Sequence, residues 1–134
     1  MEMTVRFPQG LIVEAEWKNH VIRTDQSVRN GGTDSAPEPF DLFLASIATC
    51  AGIYALRFCQ ERSIDTARLA LTMSMERNPE EKRISKIRLT LTTPPGFPEK
   101  YRPAIIRAMD QCAVKRHIME KPDFEIALEE SPAA

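Results

Sequence analysis

The alternation of apolar and polar residues in the first part of the chain predicts β-strands. The predicted strands are Thr4–Phe7, Leu11–Trp17 and His20–Asp25. They are separated by Pro8-Gln9-Gly10 and by Lys18-Asn19, both of which read as turns. Turns this short predict a three-stranded meander, and the Gly-, Ser- and Pro-rich residues 26–39 predict a loop.

A helix is predicted from Phe40 to Arg62. No charged residue occurs between Leu42 and Leu56, and apolar residues fall on every side of the helical projection. Pro39 suits a first-turn position, and Asp41 suits the positive end of the helix. We therefore expect a helix that is buried on nearly all sides.

The uncharged part of this helix is too short to span a membrane. The helix is also too apolar to lie exposed to water. Fifteen uncharged residues fall below the roughly 20 that a bilayer requires, and Ser46, Thr49 and Gly52 weaken that reading further. A chain of 134 residues has little material to enclose such a helix. We expect a partner subunit to supply part of the cover; a monomer whose own two sheets wrap the helix would also satisfy the pattern.

The second half of the chain returns to a period of two and then to helices. Alternation predicts strands at Arg68–Glu76 and Ile87–Thr92, joined by a hairpin loop at Arg77–Glu81. The remaining predicted elements are a helix to about Gln111 with Pro103 near its start, a short helix at Ala113–Met119 and a strand at Asp123–Leu128. The predicted fold class is α+β with antiparallel sheets, in a single domain spanning residues 1–134.

Composition excludes several functional classes. Apolar residues make up 43% of the chain and charged residues 28%, with a net charge of −1, which is typical of a globular domain. The charge balance gives no support for nucleic acid or a membrane surface as a partner. The first residues lack the apolar run of a secretory signal, so a cytoplasmic location is expected.

The sequence gives little support for a metal site, a phosphate-binding loop or a serine nucleophile. His20 and His117 are the only histidines, and neither lies near other ligands at the spacing that zinc requires. The pair Gly31-Gly32 lacks a phosphate-binding fingerprint and is typical of a turn. No metal site and no cofactor are expected.

The three cysteines differ by position. Cys50 lies midway along the predicted long helix, and Cys59, nine residues later, falls on the opposite face after a rotation of about 900°. Cys112 ends a different helix, so only the fold could bring it near Cys50. From the residues alone, each is most simply a small buried hydrophobic residue.

Two motifs change that interpretation. The segment Ser35-Ala36-Pro37-Glu38-Pro39-Phe40-Asp41-Leu42-Phe43-Leu44-Ala45-Ser46-Ile47-Ala48-Thr49-Cys50 resembles the helix that carries the reactive cysteine in the OsmC/Ohr family of osmotically inducible and organic hydroperoxide resistance proteins. A second hallmark of the family, a later C-x-V followed by an apolar residue, is present at Cys112-Ala113-Val114 and Ile118. The order of elements also agrees, so the resemblance covers nearly the whole chain.

The resemblance implies an intertwined homodimer in which antiparallel sheets from both subunits enclose the long central helices. It also implies a thiol peroxidase that reduces organic hydroperoxides, with Cys50 as the peroxidatic nucleophile and Cys112 as the resolving partner. An external dithiol, lipoyl-type or another small one, would restore the thiols without metal, flavin or haem. An apolar pocket lined by residues such as Phe43, Ile47 and Met109 would favour organic peroxides.

The chain departs from the family pattern around the nucleophile. In the family, an arginine from the first hairpin and a glutamate at the loop-to-helix junction activate the thiol; here those places offer Lys18 and, one residue later, Asp41. Proline follows the second cysteine in many relatives, and here Ala113 does. These differences suggest a divergent branch of the family, in which peroxidase activity is weak or has another substrate. Lys18, Arg23 and Arg29 are the candidate cations for the thiol, and Asp41 is a candidate site residue.

Two other functional classes remain open on the residues. The chain could be an OsmC-like dimer that binds a small hydrophobic ligand without turning over peroxide. It could also be a stress-related interaction protein with a purely structural cysteine pair.

Overall fold

The computed structural model describes residues 1–132 and has an α+β fold with antiparallel sheets and a long helix. The strands are β1 Thr4–Arg6, β2 Val13–Trp17, β3 His20–Thr24, β4 Ala70–Asn78 and β5 Arg83–Thr92. The helices are α1 Pro39–Glu61, α2 Arg102–Asp110 and α3 Ala113–Met119. All eight were predicted from the sequence, with bounds shifted by a few residues for the strands.

The N-terminal sheet is the antiparallel meander β1-β2-β3. Its two faces differ, because side chains alternate along each strand. One face carries two ion pairs, Arg6 with Glu16 and Arg23 with Glu14, each at 2.6 Å. On the other face, Ala15 lies opposite both Val5 and Ile22, and the last two are exposed in a single chain.

The loop between β3 and α1 is ordered around the carboxylate of Asp25. This side chain is 1% exposed and accepts hydrogen bonds from the hydroxyls of Thr33 (2.6 Å) and Ser35 (2.7 Å) and from the Gln26 amide (2.7 Å). A Cβ on Gly32 would lie 2.1 Å from the Gln26 carbonyl oxygen, so only glycine fits there. The glycine pair is a turn, as expected, but one packed against this carboxylate.

Helix α1 begins at Pro39, as expected from the fixed φ of proline. The expectation that it is buried on nearly all sides is wrong for a single chain, since only 28% of its most apolar 18-residue window is buried. Phe40, Phe43 and Ile53 are among its exposed side chains. By length and composition α1 could cross a membrane, but the core helix of a soluble protein passes the same test.

By contact density the chain divides into two units. Residues 1–49 and 72–90 form one, and residues 50–71 together with the chain from Leu91 onward form the other. The core of the second unit contains Ala55, Phe58, Cys59, Phe97 and Ile105. Ile105 on α2 and Cys112 just before α3 are both 2% exposed.

The predicted strand at Asp123–Leu128 is wrong for the single chain. Residues 120–132 have no helix or strand, and Phe124, Ile126 and Leu128 are 86 to 100% exposed. A strand needs a neighbour to pair its backbone groups, and this segment has no strand beside it among residues 1–132. Apolar and polar residues do alternate along residues 123–128, but this alternation alone does not produce a strand.

Candidate functional site

The junction between α2 and α3 positions Cys112. Cys112 is the N-cap residue of α3, and its Sγ accepts a hydrogen bond from the Lys115 amide at 3.5 Å. The Lys115 ammonium forms an ion pair with Asp110 at the end of α2, on the other side of the cysteine. One hydrogen bond from a backbone amide and one ion pair between side chains therefore hold the corner at Cys112, which is the junction between α2 and α3.

The sulfur of Cys50 lies at the same corner. The Cys112 thiol and the amides of Val114 and Ala113 are the groups that lower its pKa. The first amides of a helix have no carbonyl partner within that helix, so those of α3 are free to serve the two sulfurs. Cys50 and Cys112, the two cysteines that the resemblance pairs, thus each shift the pKa of the other.

The two thiols are in opposite electrostatic situations. Burial by itself raises the pKa of Cys50, but hydrogen bonds from the Cys112 thiol and from the Val114 and Ala113 amides outweigh it and lower that pKa. Burial and the hydrogen bond to Cys50 raise the pKa of Cys112. Cys50 is half-buried, whereas Cys112 is buried. Cys50 is therefore the more accessible and the more acidic of the two thiols.

Cys59 belongs to a different environment. It is fully buried in the core of the second unit, and burial raises its pKa against the opposing charge of Arg62. The Arg62 guanidinium stacks on the Phe58 ring at 3.5 Å from its centroid. Cys59 is therefore a packed core thiol, in agreement with its position across the helix from Cys50.

Asp41 makes a capping contact. Its carboxylate accepts a hydrogen bond from the Glu38 amide at 3.0 Å at the start of α1. Nine residues separate it from Cys50 along the same helix, which corresponds to about 13.5 Å along the axis and to opposite faces. A catalytic role for Asp41 stays a prediction, and helix geometry gives it no contact with the thiol of its own chain.

The candidate cations all lie in the first unit. The Lys18 ammonium sits 5.6 Å from the Trp17 ring centroid, Arg23 is paired with Glu14, and Arg29 belongs to a short 3₁₀ turn at Val28–Asn30. Which of them serves the thiol stays open. The backbone amides of Ala113 and Val114 were not predicted as activating groups, because a backbone donor leaves no signature in residue type. The predicted helix start at Ala113 was the one available signal, since it implies free amides at that point.

The three residues predicted to line the peroxide pocket do not belong to the same unit: Phe43 and Ile47 are in the first, and Met109 is in the second. Ile47 is buried, Phe43 is 40% exposed, and Met109 packs against the core around Cys59. An open groove of about 530 Å³ in the second unit is walled by Pro94, Pro95 and Pro98 and includes Arg68; its lining includes neither Cys50 nor Cys112. Within residues 1–132, no cluster of three or more His, Cys, Asp or Glu could hold a metal ion.

Known proteins resemble this chain in family profile and in fold. The family profile of the OsmC-like protein matches residues 32–127, and curated proteins give no significant match. A structure of an osmotic stress induced and detoxification response protein from Psychrobacter arcticus superposes with a TM-score of 0.70 at 22% identity, covering 85% of each chain.

Two further structures have the same fold. An organic hydroperoxide resistance protein OsmC from Legionella pneumophila gives a TM-score of 0.53 at 17% identity, covering 87% of each chain. An organic hydroperoxide resistance protein from Vibrio cholerae, with captopril bound in one of its active sites, gives 0.51 at 16% identity, covering 90% of this chain and 86% of that one. With the match over residues 32–127, the chain belongs to the OsmC-like protein family.

Proposed function

We propose that this protein is a thiol-dependent peroxidase that reduces organic hydroperoxides, with Cys50 as the nucleophile and Cys112 as the resolving cysteine. The observation that carries the proposal is the shared corner of α3, where Cys50 is accessible with a lowered pKa and Cys112 is buried with a raised one. Peroxide reduction needs a thiolate, and resolution needs a second thiol within reach.

The reaction proceeds in two steps. The Cys50 thiolate attacks one peroxide oxygen, the O–O bond breaks, and the alkoxide leaves as alcohol after it gains a proton, so that Cys50 becomes a sulfenic acid. Cys112 then attacks the sulfenic sulfur, water is released, and a Cys50–Cys112 disulfide forms. An external dithiol reduces that disulfide by exchange and is itself oxidised. Members of the OsmC/Ohr family act on organic hydroperoxides, which supports that substrate class.

The amides of α3 supply the activation for which the family uses an arginine. Because position 113 is alanine rather than proline, it retains an N–H, and this amide is one of the groups that lower the pKa of Cys50. Two backbone donors and one thiol donor together overcome the penalty of burying the thiolate. The absence of an arginine at the first hairpin is therefore compatible with a reactive thiol.

A homodimer is part of the proposal. The apolar side chains of α1, of one face of the N-terminal sheet and of the C-terminal tail are exposed in one chain, and surface of this extent is typical of an interface. OsmC/Ohr family members are generally dimeric. In this fold α1 is a core helix, so no membrane span is indicated for it.

The test is a thiol count and intact mass after one equivalent of tert-butyl hydroperoxide is added to reduced protein. Wild type and Cys59→Ser should each lose two thiols per chain, because Cys59 takes no part. Cys50→Ser should lose none, and Cys112→Ser should stop at a sulfenic acid that dimedone traps. If no thiol is lost in wild type, the peroxidase proposal is wrong.

The alternative is an OsmC-like dimer that binds a small hydrophobic ligand. Captopril bound in an active site of the Vibrio protein shows that this fold can hold a small molecule there. A pure binding protein would keep all its thiols in the peroxide experiment. It would still gain thermal stability from its ligand.

A further inference from the structure

Helix α3 has no buried face of its own in a single chain. None of the described side chains of Ala113–Met119 is buried, and Ile118 and Met119 are 45% and 74% exposed. Only Gln111 and Cys112 join α2 to α3. Most helices are held by the packing of an apolar face, so the orientation of α3 depends to an unusual degree on the interactions at this junction.

The Asp110–Lys115 ion pair spans the junction, from the last residue of α2 to the first turn of α3. Lys115 also donates its backbone amide to Cys112 Sγ at 3.5 Å, so one residue contacts both the sulfur and the end of the preceding helix. Cys112 is 2% exposed, and its own amide donates to the Met109 carbonyl at 3.3 Å. The Cys112 sulfur is thus fixed relative to α2 through Lys115.

Both charges of this pair lie at the unfavourable end of their helices. A helix carries partial positive charge at its N-terminal end and partial negative charge at its C-terminal end. Asp110 is nevertheless the last residue of α2, and Lys115 lies in the first turn of α3. Helix stability therefore does not explain the pair, and such exceptions to a local rule are expected where a residue serves function.

We infer that Asp110 and Lys115 are positioning residues, whose ion pair holds α3 and the Cys112 sulfur in the orientation needed for attack on the Cys50 sulfenic acid. This inference rests on the proposed peroxidase function and concerns only its second step. In that step Cys112–SH and Cys50–SOH give the disulfide and one water molecule. The S–S bond forms as the S–O bond breaks, and the thiol proton leaves with the hydroxyl. The ion pair exchanges no bond and fixes the place of the attacking sulfur.

The test measures the two steps separately in Cys59→Ser protein. Reduced protein is mixed with one equivalent of tert-butyl hydroperoxide and quenched with dimedone at increasing times. Intact mass then separates reduced protein, trapped sulfenic acid and disulfide. Lys115→Met and Asp110→Asn each break the pair and leave the backbone amides in place. Arg102→Met, which breaks the 3.0 Å ion pair of Arg102 with Glu99 at the other end of α2, is the matched control.

Both pair variants should form the disulfide roughly two- to fivefold more slowly, with the rate of the first step unchanged, and Arg102→Met should match the parent. Their thermal midpoints should stay close to that of the parent, because relief of an unfavourable helix end offsets the loss of the pair. The charge-exchanged variant, Asp110→Lys with Lys115→Asp, should restore the parent rate, since it retains the pair.

A direct effect of the Lys115 charge on the reacting sulfurs would slow Lys115→Met and leave Asp110→Asn at or above the parent rate. That pattern would overturn the positioning role, as would equal rates of disulfide formation in all variants or a slowing that charge exchange does not reverse. Each of these results leaves the two-cysteine peroxidase intact. If the Cys59→Ser parent forms no disulfide after peroxide is added, the proposed function fails, and the positioning role fails with it.

Discussion

At the scale of single residues, the buried carboxylate of Asp25 shows how a loop becomes rigid. Five donors from Gln26, Thr33 and Ser35 converge on its two oxygens. Hydrogen bonds from the Thr33 and Ser35 side chains hold the pKa of Asp25 far below its usual value. These hydrogen bonds anchor the loop that leads into α1 to the buried carboxylate of Asp25.

This charge predicts an acid-sensitive contribution to stability. The folded pKa of Asp25 is depressed, so the stabilisation is present above the unfolded value near 3.8 and is lost as pH falls below it. Asp25→Asn should lower the thermal midpoint at pH 7 by several degrees and flatten the loss of stability between about pH 4 and pH 2. Calorimetry across that range checks it, with the exposed Asp34→Asn as the matched control. Equal acid dependence in both variants would contradict the prediction.

At the scale of elements, the sequence predicts well those helices and strands whose formation depends on residues close by in the chain. The helices and the first five strands have periodic patterns, and Pro39 and Pro103 mark helix starts. The tail at residues 123–128 has an equally clear alternation, but a strand also needs a partner, which one chain does not provide. The motifs at Cys50 and Cys112 could be found by resemblance, whereas backbone donors at Ala113 and Val114 could not.

A substitution at Ala113 gives the sharpest test of the proposal that the amides of α3 activate Cys50. Ala113→Pro removes that N–H at the first position of a helix, where proline is tolerated, and Cys112 already has an extended ψ of 122°. Losing a hydrogen bond to a thiolate should move the midpoint of the pH profile of Cys50 alkylation up by about one unit. Ala113→Gly, which retains the amide, should leave it in place. An unchanged profile in a folded Ala113→Pro variant would exclude this donor.

At the scale of the whole molecule, the long apolar helix requires cover that one chain does not supply. Phe40 and Phe43 stack on each other, with ring centroids 5.4 Å apart, on an exposed part of α1. Full burial of a Phe side chain is favourable by about 1.5–3 kcal/mol, and covering these two half-exposed rings would gain part of that free energy. The proposed homodimer accounts for this surface.

Phe43→Asp should therefore raise the dissociation constant of the dimer by at least about tenfold. Sedimentation equilibrium measures it, and Val28→Asp, a charge placed on an exposed side chain of the loop before α1, is the control.

In wild type, amides of residues 123–128 should exchange slowly at concentrations where the dimer forms and rapidly on dilution. A monomer in wild type, or slow exchange without association, would contradict the proposed assembly.

In the proposed cycle, the groups that lower the pKa of Cys50 also affect the reduction potential of a Cys50–Cys112 disulfide. They stabilise the thiolate, and a disulfide offers those amides no charge, so they favour the reduced protein over the oxidised one. Every 1.4 kcal/mol of such preference makes a two-electron couple about 30 mV more oxidising. If the proposed function holds, Cys112, Ala113 and Val114 therefore favour both halves of the cycle: they make Cys50 more acidic for its reaction with peroxide and make the resulting disulfide easier for a dithiol to reduce.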